Sequence, residues 1–138
     1  MKEPRSIAAM LRARGISPTR QRVEIARVLL ARFQHVSAEQ LLGLVRRERR
    51  IAVSKATVYN TLKLFAREGL VREVIVDPNQ IFYDSNTSEH HHLYDVTSGA
   101  LTDIAPDSVR LAALPSLPAG TVVEGIDVVV RVRMAGER

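Results

Sequence analysis

The stretch Ser54-Lys55-Ala56-Thr57-Val58-Tyr59-Asn60-Thr61-Leu62-Lys63-Leu64-Phe65-Ala66-Arg67-Glu68-Gly69-Leu70 decides how the rest of the chain is read. Ser54 supplies the side-chain acceptor that an N-cap needs. Gly69 tolerates the backbone that closes a helix, so both ends of one helix are marked. Val58, Leu62 and Phe65 recur at i, i+4 and i+7 and give it a single apolar stripe. Ala56, Asn60, Lys63 and Arg67 turn largely away from the stripe, with Tyr59 on the flank. That outer face offers cations for phosphate, an amide that can pair bidentately with adenine, and a phenol. This is the chemistry of a helix that reads DNA. Tyr59 has a second reading as half-buried packing, although the stripe is complete without it.

Outward on the N-terminal side, Ser37-Ala38-Glu39-Gln40 is a capping-box pattern. It opens a helix through Leu41, Leu42 and Val45 that runs into Arg46-Arg47-Glu48-Arg49-Arg50. A short turn at Ile51-Ala52-Val53 then leads to the Ser54 helix, and two helices so joined make a helix-turn-helix. Further upstream, residues 4–14 read as a short helix ended by Gly15. A second helix, capped by Ser17 or Thr19, buries Val23, Ile25, Ala26, Leu29 and Leu30 and carries Arg20, Arg22 and Arg27. On the C-terminal side, residues 70–76 are β-prone, Asp77-Pro78-Asn79-Gln80 is turn chemistry, and Ile81-Phe82-Tyr83 is β-prone again. Helix-turn-helix plus hairpin is a winged helix.

After Asp84 the character changes. Residues 85–89 are polar and read as a hinge; residues 90–96 and 100–104 read as strands around a Thr97-Ser98-Gly99 turn. Pro106-Asp107-Ser108 is expected to start a short helix through Leu114, and residues 125–134 a long alternating strand. A segment of about 50 residues has too little core to stand alone comfortably. Pairing with a second copy would cover its sheet edges, which predicts a dimerisation domain. The expected class is α+β: a winged helix-turn-helix domain over residues 1–84, then a small α/β dimerisation and sensing domain over residues 85–138, with the hinge at about 84–90.

Charge follows the same division. Residues 1–80 hold 16 Lys and Arg against 7 Asp and Glu, a net of +9; residues 81–138 hold 4 against 8, a net of −4. The first half suits a polyanion and the second does not. The arginine runs can be solvated faces, but on a winged helix phosphate contact is favoured. A content of 46% hydrophobic and 25% charged residues belongs to a globular chain. No apolar run approaches about 18 residues, Met1-Lys2-Glu3-Pro4-Arg5 lacks a signal-peptide core, and Cys is absent. A cytoplasmic location without membrane contact is expected.

The histidines are the one chemical cluster. His90 and His92 alternate, so on a strand both imidazoles face one side; Asp84 precedes them and Asp103 lies on the expected neighbouring strand. A mixed imidazole and carboxylate set suits Fe(II), Mn(II) or Zn(II), tilted by the carboxylates toward iron or manganese. His35, remote in sequence, is a further candidate, and its bland reading is a surface or capping residue. Three adjacent histidines, His90, His91 and His92, can also be merely solvated or can offer an axial ligand to haem. Catalysis has little support: the chain contains no Gly-rich phosphate loop, no His-Glu-x-x-His and no Cys nucleophile. Ser54 is explained as a cap.

Taken together, Thr19-Arg20-Gln21-Arg22, His35-Val36-Ser37-Ala38-Glu39, Ala56-Thr57-Val58-Tyr59-Asn60-Thr61-Leu62 and the His90–His92 cluster resemble the ferric uptake regulator family, roughly from Met10 to Asp103. The resemblance implies a homodimeric, metal-responsive repressor that binds A/T-rich inverted repeats in double-stranded DNA. Tyr59-Asn60, Asp84-Ser85-Asn86-Thr87-Ser88, the three histidines and the lack of Cys look most similar to the iron response regulator branch. That branch implies control of iron and haem genes. The family's regulatory site carries over onto His35, Asp84, His90, His92 and Asp103. In the peroxide-sensing branch, His35 and His90 fall at the oxidation-sensitive positions. The family's paired-cysteine zinc motif would fall at Asp95-Val96-Thr97-Ser98, so no structural zinc held by cysteines is expected, and Asn60 stands where most members have Arg. The candidates for DNA contact are Arg20, Lys55, Thr57, Tyr59, Asn60, Lys63 and Arg67. A metal-dependent peroxide sensor is the alternative function, and a metal-dependent hydrolase the remote one.

Overall fold

The computed structural model describes residues 4–136, and the chain divides into two compact units, Met1–Thr87 and Ser88–Arg138. The reading of the first residues, 1–3, lies outside the described residues. The first unit contains α1 (Pro4–Ala13), α2 (Arg20–Leu29), β1 (His35–Val36), α3 (Ala38–Glu48), α4 (Lys55–Arg67), β2 (Arg72–Asp77) and β3 (Gln80–Asp84). Local chemistry sets the helix ends. Thr19 caps α2 by accepting from the Arg22 N–H, and Ser37 and Gln40 complete the capping box of α3. Ser54 Oγ accepts from the Thr57 N–H at 3.0 Å, so α4 starts where its cap predicts. It stops at Gly69, whose φ of +80° is one that side-chain-bearing residues avoid.

Val58, Leu62 and Phe65 are fully buried, and they pack into one cluster with Ile25 and Leu29 of α2, Leu41 and Val45 of α3, and Ile7 and Leu11 of α1. Burial of that stripe fixes how α4 is rotated, and so which of its residues face outward. The α3–α4 turn is tied down on both sides: the Arg46 guanidinium donates to the Val53 carbonyl at 3.0 Å, and Gln21 Nε2 donates to that of Ala52 at 3.3 Å. β2 and β3 form the antiparallel wing, with a register shift between Ile75 and Asp77. β1 adds to the other edge of β3, giving the order β1-β3-β2. Two residues long, β1 has no pattern of its own and becomes a strand only through this pairing.

The second unit contains β4 (His91–Asp95), β5 (Leu101–Ile104) and β6 (Val129–Val132) in the order β5-β4-β6. β4 and β5 pair antiparallel, while β6 pairs parallel to β4. Two expectations are corrected here. The helix expected from Pro106 is only a single turn of 3-10 helix, Pro106–Ser108. Leu111, Leu114 and Leu117 are each about half exposed, so there is no packed face to hold a short helix between prolines. The strand expected over residues 125–134 is limited to β6. Its ladder is interrupted at Val128, whose N–H donates to His91 Nδ1 at 3.2 Å rather than to backbone. Among the described residues no helix is long and apolar enough to cross a membrane.

Phe65 is the largest side chain of the α4 stripe. Phe65→Ala is expected to cost about 3–5 kcal/mol of unfolding free energy, read as a lower urea midpoint. An exposed change on the same helix, Ala56→Ser, should stay within about 0.5 kcal/mol.

Candidate nucleic-acid interface and metal centre

On the outer face of α4, Tyr59 is 43% exposed and Asn60 is open to solvent. Asn60 lines a concavity of about 480 Å³ together with Thr19, Gln21, Arg22, Thr57 and Arg67. The N-terminus of α2 and the middle of α4 therefore share one surface. Arg20 is exposed at the first position of α2. Thr57 Oγ1 accepts from Ser54 Oγ, which places it at the helix start rather than out on the face.

The two lysines differ from the expectation of free phosphate contacts. Lys63 Nζ donates to Glu73 Oε2 of β2 at 2.8 Å and sits 5.5 Å from the centre of the Tyr59 ring. Lys55 Nζ donates to Glu39 Oε1 of α3, also at 2.8 Å. The bond to Glu73 holds the Lys63 proton above its ordinary range, and the bond to Lys55 keeps Glu39 below its own. Both partners were missed in the sequence because they come from other elements, at separations without helical or strand periodicity. Next to Glu73 across the wing lies Tyr83, fully buried, whose hydroxyl is pushed up to about 12 by loss of solvation.

The metal-type donors fall into two sets. In the first unit, His35 and Asp84 are directly opposed across β1 and β3. Asp84 is 1% exposed, and its Oδ1 accepts from the Asn86 N–H at 2.9 Å. Ser85 secures the neighbouring backbone: its N–H donates to the Gln34 carbonyl, and its Oγ accepts from the Gln34 N–H at 3.0 Å.

In the second unit, His92 of β4 is opposed to Asp103 of β5. His90 Nε2 lies 3.4 Å from Asp103 Oδ1 and His92 Nε2 lies 3.6 Å from the same oxygen. The two rings are 4.6 Å apart, and both are buried. His90 precedes the strand by one residue, and the alternation still brings it to the side of His92. Its Nδ1 meets the Ser88 carbonyl at 2.7 Å, which leaves Nε2 turned to the carboxylate. Donors bound at about 2.0–2.2 Å to one divalent ion stand roughly 3 Å apart, so this N,N,O set fits a borderline divalent metal. A backbone contact on Nδ1 fixes the orientation of an imidazole whose other nitrogen binds metal. His91 points elsewhere, with Nδ1 engaged by Val128, and is a sheet-building residue.

Residues 13–115 match the sequence profile of the Ferric uptake regulator family. The chain is 39% identical over 108 residues to the ferric uptake regulation protein of Synechococcus elongatus, which covers 75% of this chain and 73% of that protein. It is 32% identical over 95 residues to the peroxide-responsive repressor PerR of Staphylococcus aureus, covering 69% of this chain and 64% of that protein. The chain thus spans a little under two thirds of that repressor. Among solved structures, the ferric uptake regulator of Pseudomonas aeruginosa with manganese superposes with a TM-score of 0.66 at 24% identity, covering 92% of this chain and 96% of that one. That likeness concerns the fold.

Tyr83 yields a pH dependence. In the folded chain its phenol keeps its proton up to about 12, whereas an unfolded tyrosine releases it near 10.0. Its stabilisation is complete below pH 10.0 and is lost as pH rises toward 12, on the order of 2 kcal/mol in all. Urea unfolding between pH 9 and 11 should show the decline beginning near pH 10. In phenolate absorbance, one of the three tyrosines should titrate last, and that step should vanish in Tyr83→Phe.

Proposed function

The chain belongs to the Ferric uptake regulator family, and from that premise we propose that it is a dimeric, metal-responsive transcriptional regulator, mainly a repressor. It binds A/T-rich inverted repeats in DNA. The family consists of transcriptional regulators and not of enzymes, which removes the hydrolase reading. The observation that carries the proposal is the pairing of functions in one chain: an exposed reading helix, and a buried His90–Asp103–His92 donor set. α4 enters the major groove with Tyr59 and Asn60 leading, and the Asn60 amide is matched to adenine N6 and N7.

The proposed metal ligands are His35, Asp84, His90, His92 and Asp103. The first unit alone offers two of these donors and the second three, so a full coordination shell draws on both. A bound Fe(II), Mn(II) or Zn(II) ion would supply positive charge that offsets Asp84 and Asp103 and would satisfy the three imidazoles. The chain's own part is to hold those donors ready, by the β1–β3 and β4–β5 registers and by the Ser88 contact to His90. Metal can change DNA affinity only by favouring the arrangement of the units that fits DNA, which is what shared ligands allow.

A second copy is the proposed partner of the second unit. The buried core cluster lies wholly in the first unit. Val96, Leu111, Leu114, Val130, Val132 and Met134 of the second are each 38–58% exposed. So small a sheet with so much apolar surface suits a self-complementary interface. The proposed location is cytoplasmic.

Two finer readings belong to the proposal. Control of iron and haem genes, with haem bound through His90 or His92, follows from the Tyr59-Asn60 and Cys-free pattern. A peroxide-sensing repressor is favoured by kinship with a peroxide-responsive repressor. It requires that peroxide with bound Fe(II) add oxygen to His35 or His90.

The test is titration of the protein with Fe(II), Mn(II), Zn(II) and haem, followed by absorbance and by binding to an A/T-rich palindrome. One ligand should bind and change operator affinity. His92→Ala should weaken metal binding by more than ~10-fold, because even groups that only support a metal ligand cost about 10–100-fold when removed. Asn60→Ala should cost about 1–3 kcal/mol of discrimination at an adenine. Absence of any ligand response, or full response in His35→Ala, His90→Ala and His92→Ala alike, contradicts the reading. Oxygen added to His35 or His90 on exposure to peroxide, detected by mass, selects the peroxide sensor.

A further inference from the structure

The α3–α4 turn holds the one left-handed backbone found among the described non-glycine residues: Arg50, with φ of +51°. That conformation crowds Cβ against the backbone, and glycine or asparagine adopts it more easily. The arginine side chain gives the fold nothing in return. It is exposed, and its guanidinium makes no hydrogen bond or ion pair among the described residues. Four cations around it are committed elsewhere, Arg46 to the Val53 carbonyl, Arg49 to Glu24, Lys55 to Glu39 and Lys63 to Glu73, while Arg47 is exposed and, like Arg50, without a partner among the described residues.

Arg20 shares the state of Arg50. It too is exposed and without a partner among the described residues, and it lines the same notch as Arg50. The notch holds about 310 Å³, its other walls are Gln21, Ile51 and Ala52, and no carboxylate lines it. The Gln21 bond to the Ala52 carbonyl keeps the start of α2 against the turn, so two separate elements bring the arginines together. Two unpaired like charges gathered in one concavity that no carboxylate lines call for an anion. Gln21 also lines the concavity that contains Asn60. A duplex read by Asn60 therefore lays its backbone beside the notch.

We propose that Arg20 and Arg50 clamp one DNA backbone phosphate per protomer, and that Arg50 occupies its strained position for the place this gives its guanidinium. The inference rests on the DNA-binding reading above. It assigns to the turn the phosphate contact that the paired lysines of α4 do not supply.

The experiment compares the full-length wild type with Arg50→Gly and Arg50→Lys. Thermal midpoint is measured, together with binding to an A/T-rich inverted-repeat duplex and to a mixed-sequence duplex over a range of salt. Arg50→Gly is expected to unfold at an equal or higher temperature, because glycine relieves the backbone. It should bind both duplexes more weakly by the same factor, about tenfold per protomer, with the slope of log affinity against log salt reduced by about 0.9 per protomer. Arg50→Lys keeps the charge and should keep the slope. An unchanged slope in Arg50→Gly overturns the clamp, as does a lowered midpoint with unaltered binding, which would make Arg50 structural. If the wild type binds neither duplex at low salt, the DNA reading itself fails and the clamp falls with it.

Discussion

Burial of Val58, Leu62 and Phe65 is the constraint from which the rest of the first unit follows. Three side chains without measurable exposure on one side of a 13-residue helix leave it no freedom to rotate. Tyr59 and Asn60 then face outward because the stripe fixes the opposite side inward. Capping by Ser54 and closure at Gly69 set the length of the helix, and the wing hydrogen-bonds β2 to β3 immediately after it. The face proposed to read DNA is thus the unburied remainder of a core helix. Its charge is trimmed by neighbours: Glu39 and Glu73 hold the two lysines.

The second unit follows a different rule. Its described residues form no sealed apolar centre, and its best-buried polar groups are the three histidines. Burying imidazoles beside a carboxylate is costly unless the groups are satisfied, which is the physical ground for the metal ion proposed among them. The alternation of β4 separates the jobs: His90 and His92 turn to Asp103, while His91 binds the backbone of Val128 and helps bring β6 alongside. His91 and His92 are thus consecutive in the chain but engage different partners.

Much of this was legible in the sequence where a local rule applied. Helix caps at Ser37 and Ser54, the stripe of α4, the wing and the β4–β5 hairpin all follow from near-neighbour chemistry, and the structure contains each; of the two caps open to α2, Ser17 and Thr19, it uses Thr19. The alternation of His90 and His92 came from strand periodicity and the neighbouring strand for Asp103 from the hairpin pattern, whereas the direct opposition of Asp103 to His92 is seen only in the register. What the sequence hid depends on partners far along the chain. β1 is a strand only because β3 lies beside it, and the helix expected after Pro106 is absent because no surface there covers its leucines. The pairing of Lys63 with Glu73 crosses from α4 to the wing, and the φ of Arg50 depends on a turn pinned by Arg46 and Gln21. None of these leaves a periodic trace.

The proposal most in need of a test is that one metal ion draws ligands from both units and so affects how the first is held. The chain has no cysteine, so single cysteines introduced at Ala9 of α1 and Thr102 of β5, both exposed, are the only thiols to label. The most direct measurement is the distribution of distances between spin labels at these positions, in labelled protein diluted into unlabelled protein, with and without bound Zn(II). The account predicts that Zn(II) narrows and shifts the distribution, and that Asp84→Asn together with His35→Ala abolishes the change while His92 and Asp103 are intact. A distribution that stays the same when Zn(II) binds stoichiometrically would contradict it.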